Sequence, residues 1–180
     1  MPVGEDVRVH EYAITLIGGD RPGIIAEAAA ILADLRLNLT DSTMTRLRGH
    51  FAMTLVCAGD ADREHVEGAL APMAAGSGLV LTVRELAPEA EPTPTGGHYV
   101  LSLHGADRPG IVAAVTRVLA DAGGNITDLT TRLAGDLYVL VAEVDLPSTV
   151  DIETVTARLD EAARAVGVEA TLRPVDTDLL

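Results

Sequence analysis

The chain reads LIGGDRPGIIAEAAAILADLRLNLTD from Leu16 to Asp41, and LHGADRPGIVAAVTRVLADAGGNITD from Leu103 to Asp128. Gly-x-Asp-Arg-Pro-Gly-Ile thus occurs twice, each time before apolar residues at helical spacing and then Asn-x-Thr-Asp. Tyr12 aligns with Tyr99, Asp20 with Asp107, Asn38 with Asn125 and Asp41 with Asp128, always 87 positions apart. Beyond the aspartates Arg46 matches Arg132 and Gly49 matches Gly135, which implies that the second copy has lost one residue there. A repeat this long decides the architecture before any local reading does.

Each copy reads alike. Tyr12, Ile14 and Leu16 alternate as in a half-buried strand. Ile24, Ala28, Ile31 and Leu35 have helical spacing. The stretch from Asn38 to Gly59 reads as two strands turning near Gly49. Val66, Leu70 and Met73 form a second helical stripe, and Gly78 to Leu86 a last strand. The second copy repeats this with Tyr99 to Leu103, a helix from Pro109, strands around Gly135, and a helix carrying Ile152, Val155, Leu159 and Val166. The order is βαββαβ, twice. The fold class expected is α+β: two ferredoxin-like domains, each a four-stranded antiparallel sheet with two helices on one face. Residues 1–87 form the first domain and 98–180 the second. Between them 88–97, within APEAEPTPTGG, reads as a linker. Each such domain leaves one sheet face and an edge strand bare, so the two are expected to pack together.

Composition excludes several classes of function. Of 180 residues, 48% are hydrophobic and 2% aromatic, so the core must be aliphatic. The net charge of −14 repels phosphate backbones and argues against direct nucleic-acid binding. All 13 basic residues are Arg, which removes lysine Schiff-base chemistry. Cys57 stands alone, so no intrachain disulfide forms. The histidines His10, His50, His65 and His98 have no metal-ligand spacing, and no metal or cofactor is expected. No nucleophile elbow or P-loop is present. The N-terminus has no apolar signal region and no apolar run reaches a membrane span, so a cytoplasmic protein is expected.

The repeated motif lies at a strand-to-helix turn. Pro22 is expected in the first helical turn, with Asp20 or Arg21 near the cap and Gly23 clearing space. Such a helix start offers free backbone N–H groups to a carboxylate-sized anion. Asn38 and Asn125 can donate to a carboxylate and accept from an ammonium, and Asp41 and Asp128 add negative charge nearby. Together they suit a zwitterionic amino acid. Spacing leaves open whether loop and Asn meet within one copy or across copies. Arg21 and Arg108 are expected to point to solvent, where either could hold a carboxylate. His104 is expected to be exposed, and Cys57 to be inert core.

With GGDRPGI and NLTD in one copy and GADRPGI and NITD in the other, inside βαββαβ, the sequence resembles the ACT domain, a ligand-binding regulatory module. As a free-standing pair it resembles the glycine cleavage system transcriptional repressor family, to which DSTMTRLRGHFAMTL (Asp41–Leu55) also points. The resemblance implies side-by-side association and amino-acid binding at the interface. Gly19, Asp20, Arg21, Pro22, Gly23 and Ile24 would form one loop, and Ala106, Asp107, Arg108, Pro109, Gly110 and Ile111 the other. Asn38, Leu39, Asn125 and Ile126 of a neighbouring domain would face them. It further implies a non-catalytic homo-oligomer that binds a small amino acid, glycine or serine, and acts on a protein partner, a transcription factor or an enzyme, without touching DNA or membrane. The alternatives are a dimerisation module without ligand, and a regulatory part related to formyltetrahydrofolate deformylase.

Overall fold

The computed structural model describes residues 9–87 and 96–175. The chain divides between residues 90 and 91 into two compact units. Unit 1 comprises β1 (His10–Gly19), α1 (Ile24–Asp34), β2 (Asn38–Leu47), β3 (His50–Gly59), α2 (Arg63–Ser77) and β4 (Leu79–Glu85). Unit 2 comprises β5 (Gly96–Ala106), α3 (Ile111–Asp121), β6 (Asn125–Ala134), β7 (Leu137–Pro147), α4 (Ile152–Ala165) and β8 (Val168–Pro174). Each unit is one antiparallel four-stranded sheet, in order β2-β3-β1-β4 and β6-β7-β5-β8, with its two helices on one face. Of the linker expected at 88–97, residues 88–95 lie outside the described part. Gly96 and Gly97 open β5, opposite Pro147 and Leu146.

The alternation read from sequence sets the core. Tyr12, Ile14 and Leu16 are fully buried and pack with Ile24, Ala28 and Leu32 of α1 and Val66, Leu70 and Met73 of α2. The Tyr12 hydroxyl donates to the Ala61 carbonyl at 2.7 Å, so its one polar atom is satisfied. Burial raises its pKa, and Glu85 adds to the shift. In unit 2, Leu101, Leu103, Ile111, Val115, Leu119, Val155 and Leu159 play the same parts. With few aromatics, both cores are dense in Leu, Val, Ile and Ala. Leu35, Ile31, Ile152 and Val166 sit at their margins, partly buried.

The edge strands β2 and β6 carry no buried residue. Each pairs on one side only, so a row of backbone donors and acceptors is left free along it.

The hairpins correct the sequence alignment. β2 and β3 pair from Leu47 and His50, and β6 and β7 from Ala134 and Leu137, so both turns have two residues and the offset of 87 holds through the hairpin. No residue is lost. The glycine has changed place within the turn. Arg48 and Gly49 both have positive φ, as a type I′ hairpin needs. In unit 2 Gly135 comes first, and Asp136 has no positive φ. Arg132 is therefore not the counterpart of Arg46. Arg46 stands opposite buried Phe51 on the helix side of its sheet, while Arg132 stands opposite Val139 on the other face. A shift of one position along a strand reverses its face.

Candidate functional site

The loops take their shape from glycine. Gly23 and Gly110 are the N-caps of α1 and α3, with φ of 89° and 95° and no side-chain cap. The expectation for Pro22 is corrected accordingly: it precedes the cap and lies outside the helix, as does Pro109. Asp20 and Arg21 lie further upstream and cap nothing. The early N–H groups of each helix consequently face outward without a side-chain acceptor, at the positive end of the helix dipole. Ile24 and Ile111 turn inward and anchor each helix start in the core.

Around this common backbone the two loops differ. In unit 1 Arg21 folds back onto the protein while its side chain stays 38% exposed. Its Nη2 lies 2.6 Å from Glu27 Oε2, its Nε donates to Ser77 Oγ at 2.8 Å, and its Nη1 donates to the Pro22 carbonyl at 3.2 Å. Asp20 Oδ2 accepts from Arg46 Nη1 at 3.3 Å, and the Asp20 N–H donates to the Gly49 carbonyl, which ties the loop to the β2–β3 turn. In unit 2, Arg108 and Asp107 are exposed and, among the described residues, have no hydrogen-bond or ion-pair partner. Arg132 donates to its neighbour's Thr131 carbonyl instead of reaching Asp107, as its change of face requires.

The asparagines are exposed at the starts of β2 and β6. Leu39 is 41% exposed and Ile126 is partly buried. Asn125 and Ile126 line an open cleft of about 430 Å³ against the outer side of α3, with Ala113, Thr116 and Arg117 opposite. On the sheet, Asn125 pairs with Asp145, whose Oδ1 is 2.5 Å from His98 Nδ1. In unit 1 the residue opposite Asn38 is Ala58. A backbone bulge follows each Asn, between Leu39 and Asp41 and between Ile126 and Asp128. Asp41 turns onto its own neighbour, accepting from the Ser42 N–H at 2.7 Å.

Loop and asparagine do not meet within a unit. Gly19 pairs with His50 while Asn38 pairs with Ala58, eight residues along β3. Ala106 pairs with Leu137 while Asn125 pairs with Asp145, eight residues along β7. At ~3.3 Å per residue that is about 26 Å. The two candidate elements of each unit thus stand at opposite ends of its sheet, one at each end of the first helix. One amino acid cannot bridge that gap.

The comparisons with known proteins agree with this architecture. The model of the ACT domain matches residues 11–84 and again 98–173. The chain belongs to the ACT-domain family, as a tandem pair. A UPF0237 protein of Methanocaldococcus jannaschii is 33% identical over 78 residues, covering 43% of this chain and 87% of its own length. The crystal structure of an unknown protein from Galdieria sulphuraria superposes with a TM-score of 0.79 at 29% identity, over 93% of this chain and 99% of its own. A protein provisionally assigned as a glycine cleavage system transcriptional repressor superposes with a TM-score of 0.70 at 18% identity, over 93% and 98%, which is a likeness of fold.

Sequence reasoning missed Glu27 and Ser77, the partners that occupy Arg21. The signal was available in the repeat itself: the positions matching Glu27 and Ser77 are Ala114 and Val166. His98 and Asp145 were also passed over, because only the sheet register puts them beside Asn125.

Proposed function

We propose that this chain is a non-catalytic, cytoplasmic amino-acid sensor that binds a small amino acid, glycine or serine, between neighbouring ACT modules. The loops at 19–24 and 106–111 supply donors for its carboxylate. Asn38 and Leu39, or Asn125 and Ile126, of the adjoining module supply the other wall. The observation that carries this reading is the separation of about 26 Å between loop and asparagine within each module. A pocket using both must be shared between modules, so ligand and association are thermodynamically linked. A ligand bound at such a seam favours one association state by its differential affinity, and a protein partner, a transcription factor or an enzyme, then reads that state. The net charge of −14 favours control through a protein over contact with DNA.

Equilibrium dialysis of the purified chain against labelled glycine and L-serine tests this. Asn125→Ala removes a hydrogen bond to a charged group, worth about 1.5–3 kcal/mol, and should weaken binding at that site roughly 10- to 100-fold. No saturable uptake of either amino acid would leave an association module without ligand. The unpaired β2 edge, which carries no buried residue and exposes Met44 at 47% and Leu47 at 52%, would then be its working surface.

A further inference from the structure

Both repeated arginines lie over the same part of their unit, the corner where the second helix hands over to the last strand. Arg21 Nε donates to Ser77 Oγ at 2.8 Å, and its Nη2 donates to the same oxygen. Its Nη1 donates to the Pro22 carbonyl at 3.2 Å. Ser77 is the last residue of α2, and both Arg21 and Ser77 are partly buried. The Glu27 contact faces solvent, where an ion pair contributes little. β1 closes on the same corner: a Cβ at Gly18 would lie 2.7 Å from the Gly78 carbonyl oxygen. In unit 2 a Cβ at Gly167 would come within 2.5 Å of Arg108 Nη1, so that arginine rests on the α4–β8 corner. Val166 stands there in place of Ser77, and Arg108 is exposed, with no hydrogen-bond partner among the described residues. The guanidinium thus goes to the corner in both units, but only unit 1 has a hydroxyl to hold it.

We propose that Arg21 is a positioning residue: through Ser77 it fixes the loop at 19–24 to the α2–β4 corner, and it does not touch the ligand itself. This rests on the sensor reading in treating the loop as one wall of a pocket. A planar guanidinium can give Nε and Nη2 to one oxygen while Nη1 reaches a carbonyl, which is the pattern seen. The bond spans 56 residues of chain, so it ties the loop to a separate element rather than to its own turn. A loop held in place before the ligand arrives loses less freedom on binding, so the clasp raises affinity without a contact of its own.

The test is a double-mutant cycle on the full chain labelled with nitrogen-15, using Arg21→Met, Ser77→Ala and the two combined. Two amides report on the loop by hydrogen exchange: Asp20, which donates to the Gly49 carbonyl at 3.3 Å, and Glu27, which donates to the Gly23 carbonyl at 2.9 Å. Each single substitution should speed their exchange roughly three- to tenfold, and the double variant should go no further. Ser77→Thr, which keeps the hydroxyl, should retain the wild-type rates. Titration with glycine and L-serine, followed at the Gly23 amide, gives the second readout. Both single variants should weaken binding by the same factor, again roughly three- to tenfold, with no added loss in the double. Unchanged exchange in Ser77→Ala would overturn the proposal. So would unchanged affinity, since a residue that only stabilises the fold leaves the affinity of the folded chain alone. A further loss of affinity on adding Arg21→Met to Ser77→Ala would make the arginine a ligand contact, which also overturns it. If the wild type binds neither amino acid, the sensor reading fails and the exchange cycle alone decides the clasp: non-additive effects uphold it and additive effects overturn it.

Discussion

Gly18 and Gly19 are adjacent in sequence, yet they should respond oppositely to the same substitution. Gly18 faces the helix side of its sheet, opposite Leu79 where α2 hands over to β4. A Cβ at Gly18 would lie 2.7 Å from the Gly78 carbonyl oxygen, 2.9 Å from Leu79 Cδ2 and 3.1 Å from Leu79 Cα. Two of those atoms are backbone, so no side-chain rotation relieves the contact. A Cβ at Gly19 would meet nothing within 4 Å. Overfilling a packed site costs about 1–3 kcal/mol. Taking ~2 kcal/mol, and 4–8 °C per kcal/mol for a module of this size, Gly18→Ala should lower the transition of unit 1 by roughly 8–16 °C. Gly19→Ala should move it by no more than about 2–4 °C. Scanning calorimetry of both variants beside the wild type decides the matter, with urea unfolding to check that the m-value is unchanged. Equal melting of the two variants would refute the claim that close approach of β1 to the α2–β4 corner explains the first glycine. Gly105 offers a replicate: its Cβ would lie 2.7 Å from Val168 Cγ1 and 2.9 Å from Val168 Cα.

Two further outcomes follow from titrating groups. The hydrogen bond from Thr154 holds the Asp151 carboxyl below its ordinary value of 3.8, with help from the N–H groups at the start of α4. A depressed pKa means its stabilisation is complete above about 3.8 and is lost as pH falls through the lower folded value. The stability gap between wild type and Asp151→Asn, followed by urea unfolding, should therefore close as pH drops below that range. A gap that stays constant with pH would contradict it. Burial pushes the Cys57 thiol up to about 11. Native protein at pH 8 should fail to react with a thiol-specific disulfide reagent and should react fully once unfolded in urea, because the thiolate is the nucleophile.

Both sheets were legible because their signals are periodic. Alternation at Tyr12, Ile14 and Leu16, and three-four spacing at Val66, Leu70 and Met73, each mark a buried face, and all six residues are buried. The matched repeat then supplied the topology twice over. The loops were less legible, because their geometry depends on single backbone angles and on partners distant in sequence. Pro22 suggested a helix start, yet the positive φ of Gly23 makes the glycine the cap and puts the proline outside. Arg21 seemed destined for solvent until Ser77, 56 residues away, came within reach. The alignment of Arg46 with Arg132 followed residue identity, whereas strand pairing follows register, and register moved Arg132 to the opposite face. The distance from loop to asparagine also needed the sheet, since neither residue's position in the chain reveals which end of β3 it reaches.

An amino acid held between a loop of one module and the asparagine of a neighbour should stabilise the folded chain. A thermal-shift screen of the intact chain against the twenty amino acids tests it most directly. A ligand at a hundredfold over its dissociation constant adds about 2.7 kcal/mol. For a chain of this length that raises the melting temperature by roughly 5–10 °C. Glycine, serine or a close relative should give such a shift, and Asn125→Ala should reduce it. Unchanged melting with all twenty at millimolar concentration would contradict it.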